Sequence, residues 1–198
     1  MDGVYWSFGT KSDRVELRSF DCCPGDAGPP VRRPDGSRVC PEPWSHEVQT
    51  YFRQHAISDT NRFSASNDQR LLLLRDGRTI VGALVHGTQP PLPGGAFERR
   101  VEYYALRTAV QGRRLSNGEY ASHALLRAGV QDMMTRHDPG ERIYVTALVR
   151  PENHASRRCL ERYGWSESKP LDLPDLLVYA APLARARTAL GIPTAATP

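Results

Sequence analysis

Three short stretches of this 198-residue chain carry side chains spaced for chemistry. Asn153-His-Ala-Ser156 sets an amide and a hydroxyl one helical turn apart, ahead of Arg157 and Arg158. An asparagine there suits a helix N-cap, where its side-chain oxygen accepts from a free backbone amide. Gln111-Gly112-Arg113-Arg114 opens a loop running into a helix. Glycine and the unbonded N–H groups of a helix start together suit phosphate oxygens; the plainer reading is a strand-to-helix turn capped by Ser116 or Asn117. Glu102 stands beside Tyr104 and Leu106 on a strand-like run. Apolar neighbours raise a carboxyl toward neutrality and fit it to take up a proton; the plainer reading is a surface glutamate paired with an arginine.

The elements that must hold these residues follow from periodicity. Ile143, Val145, Ala147 and Val149 alternate as in a strand, and a short helix follows over 153–163, closed by Gly164. Residues 100–108 form another strand, with Val101, Tyr103 and Ala105 on one face and Glu102, Tyr104 and Leu106 on the other. Ala121, Ala124, Leu125, Ala128, Val130 and Met133 give a helical stripe that stops at Asp138-Pro-Gly140. Strand, helix and strand make a βαβ unit, which predicts that 100–108 and 143–149 are parallel. Leu71–Leu74 and Thr79–Val85 form a hairpin around Asp76-Gly77, and 176–181 is a last strand. Upstream, 43–57 reads as helix, 59–68 as turn and 89–95 as loop. Within 1–42, which is otherwise irregular, Val15–Phe20 reads as a first strand. The tail over 183–198 reads as a frayed helix.

Strand, Pro151, Asn153-x-x-Ser156, helix and Tyr163-Gly-Trp165 resemble the C-terminal half of the GCN5-related N-acetyltransferases (GNAT), and the order of elements matches that fold over roughly 43–182. The resemblance implies an α/β (α+β) domain with a mixed, mostly antiparallel central sheet, a splayed parallel strand pair and flanking helices. It implies acetyl-CoA as co-substrate. The pantetheine arm would lie on the backbone of Leu106, Arg107 and Thr108, and the pyrophosphate on Gln111, Gly112, Arg113, Arg114, Gly118, Ala121 and Ser122. Asn153 would place the arm, with Ser156, Arg157 and Arg158 near the nucleotide, and Glu102 would be the general base. Two departures stand out. Extra residues around Ser116-Asn117-Gly118 interrupt the phosphate loop, as a tolerated bulge or an altered cradle. Leu160 occupies the position where family members that use a general acid carry tyrosine. Water, Ser156, Cys159 or Tyr179 must then serve, or the thiolate leaves unassisted. Tyr163 is expected in the core.

Composition sets the remaining bounds. With 39% hydrophobic and 24% charged residues the chain is an ordinary single-domain sequence. No apolar run approaches the ~20 residues of a membrane span, and no secretory signal pattern is present, so the cytoplasm, reduced thiols and no membrane partner are expected. Neither Cys22, Cys23, Cys40 and Cys159 nor the six histidines have metal-ligand spacing, so no metal is expected. The reading is an N-acetyltransferase in which a small-molecule or peptide amine attacks the thioester directly in a ternary complex. The acceptor pocket would draw on 43–67 and 166–175, including Trp44, Arg53, Arg62, Phe63, Trp165 and Lys169. Alternatives are a catalytically silent CoA- or ligand-binding module and an acetyltransferase toxin acting on aminoacyl-tRNA, tRNA being the one nucleic-acid partner kept. A homodimer is left open.

Overall fold

Alternating apolar residues and tight turns dominate the middle of the chain, and a sheet follows from them. The computed structural model describes residues 3–23, 43–92, 94–138, 140–168 and 175–193. Its strands are β1 (Val4–Phe8), β2 (Arg70–Asp76), β3 (Thr79–Leu92), β4 (Ala96–Leu106), β5 (Ile143–Val149), β6 (Ser166–Ser168) and β7 (Leu177–Pro182). They form one sheet in the order β1-β2-β3-β4-β5-β7-β6. The β4–β5 pair is parallel and the others are antiparallel, as the βαβ pattern and the resemblance implied. The helices are α1 (Arg14–Leu17), α2 (Pro43–Gln54), α3 (Ala56–Asn67), α4 (Ala121–Met134), α5 (His154–Arg162) and α6 (Leu183–Ala189). One core joins α4, α5 and α6 to one face of the sheet. A second joins α1, α2 and α3 to the other face through Leu17, Phe20, Phe52 and Ile57. No helix among the described residues is long and apolar enough to cross a membrane.

Several local expectations are corrected. Val15–Phe20 is not a strand: Thr10 and Asp13 form a capping box, a short helix follows, and Leu17 and Phe20 turn inward. The first strand is Val4–Phe8, on the edge beside β2. Residues 59–67 belong to α3, which ends where Asp68 turns left-handed at φ 43°. Residues 89–92 continue β3, with Leu92 opposite Ala96; Pro90 and Pro91, which lack a ladder donor, fall in the register shift there. The tail helix is docked rather than frayed, since Leu183, Ala186, Leu190 and Ile192 are all buried. Cys22 and Cys159 are free thiols, but Cys23 is in a disulfide, so the expectation of reduced thiols fails there.

One irregularity matters most for the site. On β3, Val85 faces Tyr103 while His86 faces Val101, which leaves Glu102 as the extra residue of a β-bulge. A bulge flips the alternation beyond it and sharpens the twist. Val101 therefore shares a core with Tyr104 and Leu106, not with Tyr103 and Ala105 as strict alternation predicted. The parallel register of β4 with β5 runs from Phe97↔Ile143 to Val101↔Ala147 and stops at the bulge, although both strands continue. From there the two strands diverge.

Candidate active site

The divergence opens a cleft whose wall includes the part of β4 that no longer pairs with β5. The Arg107 amide donates to the Val81 carbonyl at 2.9 Å. Antiparallel partners alternate between bonded and non-bonded pairs, so Tyr103 and Ala105 bond to β3 while Tyr104 and Leu106 turn their N–H and C=O groups toward the cleft. The Thr108 amide donates to the Asp21 carbonyl at 2.8 Å. The Arg107 side chain reaches back to the carbonyls of Ile80 and Ser19. The edge facing the cleft thus comprises Tyr104 and the Leu106 amide, the Leu106 carbonyl accepting from Gln111; of the expected stretch it keeps Leu106, while Arg107 and Thr108 turn away.

The cleft has two chambers. The first, about 480 Å³, is lined by Glu47, Gln89, Arg100, Glu102, Tyr103 and Arg150, among others. The second, about 370 Å³, runs along Leu106, Gln111, Gly112, Ser122, Ser156 and Arg158 toward Arg162. Val48, Tyr104, Asn153, Ser156 and Cys159 line both chambers and mark their junction. Arg150 approaches Glu47 to 3.9 Å, which links the β5–α5 turn to α2.

Glu102 occupies the bulge in the wall of the first chamber. Its carboxylate receives a short hydrogen bond from Gln69 Nε2 and a long one from Gln89 Nε2 at 3.5 Å. No ion pair holds it among the described residues; Arg100 instead pairs with Glu98 at 2.7 Å. Burial pushes the Glu102 carboxyl above the usual range, with Asp59 adding to the rise, against the Gln69 bond and the Arg100 charge. Such a carboxylate is a stronger proton acceptor than a surface glutamate.

The phosphate-loop candidates divide. Gln111 donates to the Leu106 and Cys22 carbonyls at 3.0 and 2.9 Å, and Gly112 takes φ 69°. Both line the second chamber, with Ser122 in the first turn of α4. That helix has no side-chain cap. Ala121, its first residue, is buried. The extra residues fold as a small hairpin: Arg114 bridges Tyr120, Gly118 turns at φ 82°, and Leu115 plugs the core. Ser116 ties the hairpin to Asp76 through its amide at 3.1 Å and through its hydroxyl. Arg114 stacks on Tyr120, and neither Arg113 nor Gly118 lines a chamber. The interruption is therefore an anchored bulge beside the groove.

On α5, Asn153 caps the helix by accepting from the Ser156 amide at 3.1 Å. Gly164, at φ 86°, closes the helix. Arg157 turns away to Tyr179 and the Pro151 carbonyl, whereas Arg158 and Arg162 face the groove; Arg162 carried no sequence signal. Leu160 lines the first chamber. Tyr179 is buried, its hydroxyl donating to Glu161 at 2.8 Å, and it lines neither chamber. Tyr163 and Trp165 are core residues. Arg53 bonds the Phe20 carbonyl at 2.7 Å, and Arg62 lies over Phe63. The Trp44 side chain, Lys169 and Cys40 lie outside the described residues.

Sequence reasoning missed the support behind Glu102. His86 and Asp132 meet at 2.9 Å in the core. Arg99, with 1% exposure, bonds Asp68 at 2.9 Å and His86 at 3.3 Å. Burial disfavours the Asp132 charge, but bonds from His86 and Arg70 outweigh it and hold the carboxyl below the usual range. Burial likewise lowers His86, which keeps the ring neutral. Asp68 adjoins Gln69, so the network fixes the joint that aims Gln69 at Glu102. Its partners come from α3, β2, β3, β4 and α4, and no local spacing could reveal them.

No family model matches the sequence, and no curated protein matches it either. Solved structures match at the level of fold. The PaiA N-acetyltransferase from Thermoplasma acidophilum in complex with coenzyme A is 10% identical, with 91% of this chain and 99% of that one covered and a TM-score of 0.61. A structure described as an acetyltransferase of the GNAT family, from Desulfovibrio desulfuricans, is 17% identical, with 91% and 99% coverage and a TM-score of 0.55. The chain has the GNAT fold. Other GNAT-fold structures agree. A ribosomal-protein-S5-alanine acetyltransferase from Vibrio fischeri gives 13% identity, 92% and 94% coverage and a TM-score of 0.55. The toxin AtaT, bound to the C-terminus of the antitoxin AtaR and acetyl-CoA, gives 10%, 94% and 97%, and 0.55.

Proposed function

We propose that the protein is an acetyl-CoA-dependent N-acetyltransferase in which an amine attacks the thioester directly in a ternary complex. The observation that carries this reading is the bulge-driven divergence of β4 from β5, which leaves the Tyr104 backbone and the Leu106 amide facing the cleft beside a carboxylate of raised proton affinity. The pantetheine arm would lie along that backbone. Its phosphates would meet Gly112, the uncapped start of α4 and the guanidinium groups of Arg158 and Arg162. The amine would enter through the first chamber and lose its proton to Glu102. The site contributes proximity and hydrogen bonds to a polarised carbonyl.

Thiol release tests the reading. The native chain, offered acetyl-CoA and a panel of amines, is expected to liberate free CoA, and Glu102→Gln to lower turnover about 10²-fold or more. A CoA-dependent rise in melting temperature without thiol release would indicate the silent binding module. A second reading, an acetyltransferase toxin with aminoacyl-tRNA as acceptor, has one observation in its favour. Arg14, Arg18 and Arg53 line a cavity with Gln54 and no carboxylate among the described residues. Copurifying RNA that dissociates steeply with salt would support it.

A further inference from the structure

Leu160 has no proton to give, and Tyr179 faces away from the cleft, so no acid comes from either position. A phenol reaches the junction of the chambers from a different element. We propose that Tyr104 of β4 is the catalytic acid of the transfer, donating its hydroxyl proton to the sulfur of the departing thiol. The inference rests on the acetyltransferase reading above.

Tyr104 follows the bulge by two residues, so its side chain falls on the face toward α4 and α5. Its hydroxyl lies 3.3 Å from the Ser122 carbonyl oxygen and against the Cys159 thiol, the residue next to Leu160. Ser122 and Cys159 both line the groove that would hold the pantetheine arm. Tyr104 and Cys159 each line both chambers, so the phenol stands where the groove for the arm meets the chamber for the acceptor. Besides the Asn153 amide, which is no acid, two other donors share the junction. A serine hydroxyl such as Ser156 is a weaker acid than a phenol, and a thiol such as Cys159 is a weak hydrogen-bond donor.

Burial, together with Cys159, raises the Tyr104 hydroxyl well above its ordinary value, so its proton is in place throughout the neutral range. The resting bond to Ser122 is long, and such a bond is readily exchanged for one to a developing anion. In the reaction, Glu102 first takes a proton from the ammonium. The amine nitrogen then attacks the thioester carbon and the C–N bond forms. The C–S bond breaks, its electron pair passes to sulfur, and the Tyr104 proton follows to give free CoA thiol. The proton shed by nitrogen as it becomes an amide restores the phenol, and Glu102 releases its own to solvent.

Tyr104→Phe keeps the ring and removes the donor. Thiol release is measured for the full chain and this variant over acetyl thioesters of thiols of decreasing pKa, from alkyl to aryl. With acetyl-CoA the variant is expected to lose roughly 10²-fold in kcat, and with the most acidic aryl thiol the gap should close to about twofold, since that anion needs no proton to leave. Equal turnover of both proteins across the series overturns the proposal. So does a loss that ignores the leaving group, the signature of a merely structural role. An unchanged CoA-induced melting shift in the variant separates chemistry from folding. If the native chain releases no thiol with any amine, the acetyltransferase reading fails and this assignment falls with it; if only Tyr104→Phe behaves as native, this assignment alone fails.

Discussion

Gln69→Leu should move the pH dependence of the reaction without altering its plateau. Gln69 is 7% exposed and directs Nε2 at Glu102; leucine fills similar space and donates nothing. The remaining donor, Gln89, stands at 3.5 Å, a weak contact. A hydrogen bond to a charged group is worth about 1.5–3 kcal/mol, and the half-exposed carboxylate favours the lower end. Losing about 1.4 kcal/mol of anion stabilisation is a tenfold change in the protonation equilibrium. The sign follows from the causes: burial already raises the carboxyl and Gln69 opposes it, so the variant holds its proton to higher pH. A base must be ionised to act, so kcat/KM should fall about tenfold on the acidic limb and match the native value where both carboxyls are ionised. The assay is thiol release against pH at saturating acetyl-CoA. A limb that stays in place, or moves toward acid, would refute the assignment of Gln69 as the group that tunes Glu102.

Other perturbations have defined outcomes. Arg99→Met removes a buried donor to Asp68 and His86, while Asp68 keeps Arg136 and His86 keeps Asp132; a hydrogen bond to a charged group is worth about 1.5–3 kcal/mol, and at about 2–4 °C per kcal/mol the melting temperature should drop by roughly 3–12 °C in calorimetry. Asn153→Ala removes the α5 cap at about 1 kcal/mol and should weaken the CoA-induced melting shift as well. Asp76→Ala releases the 114–120 hairpin from the β2–β3 turn and should raise the CoA dissociation constant severalfold, measured by titration calorimetry, with little change in kcat. In a Tyr104→Phe background, Leu160→Tyr should recover part of the lost turnover by returning a phenol to α5, whereas in the native chain it should change the rate by less than about twofold.

How far the sequence foretold this structure depended on the range of the interactions. The Asp76-Gly77 hairpin, the α4 stripe, the Asn153 cap and the parallel β4–β5 pair are written in local spacing and were legible. The Glu102 bulge was not, because one extra residue leaves composition unchanged and only reverses the facing of its neighbours; strict alternation puts Val101 on the wrong face for that reason. The α1 turn reads as strand because Val15 and Leu17 mimic alternation, while the Thr10–Asp13 box that starts the turn precedes them. The docked α6 depends on Leu183, Ala186 and Leu190 finding α4, a pairing that an Ala/Arg-rich tail does not advertise. Gln69, Gln89 and Tyr104 acquire their surroundings only when distant strands meet. Leu160 was legible as an absence, and the fold supplied the candidate replacement.

The central claim is that a thioester's pantetheine arm lies against the β4 backbone beyond the bulge. Amide hydrogen exchange, with and without acetyl-CoA, tests it most directly. Exchange at Tyr104 and Leu106 should slow markedly on binding, while β1 and β2 amides stay unchanged. Binding that leaves those two amides exchanging at their free rate, or protects a different edge of the sheet, would contradict the account.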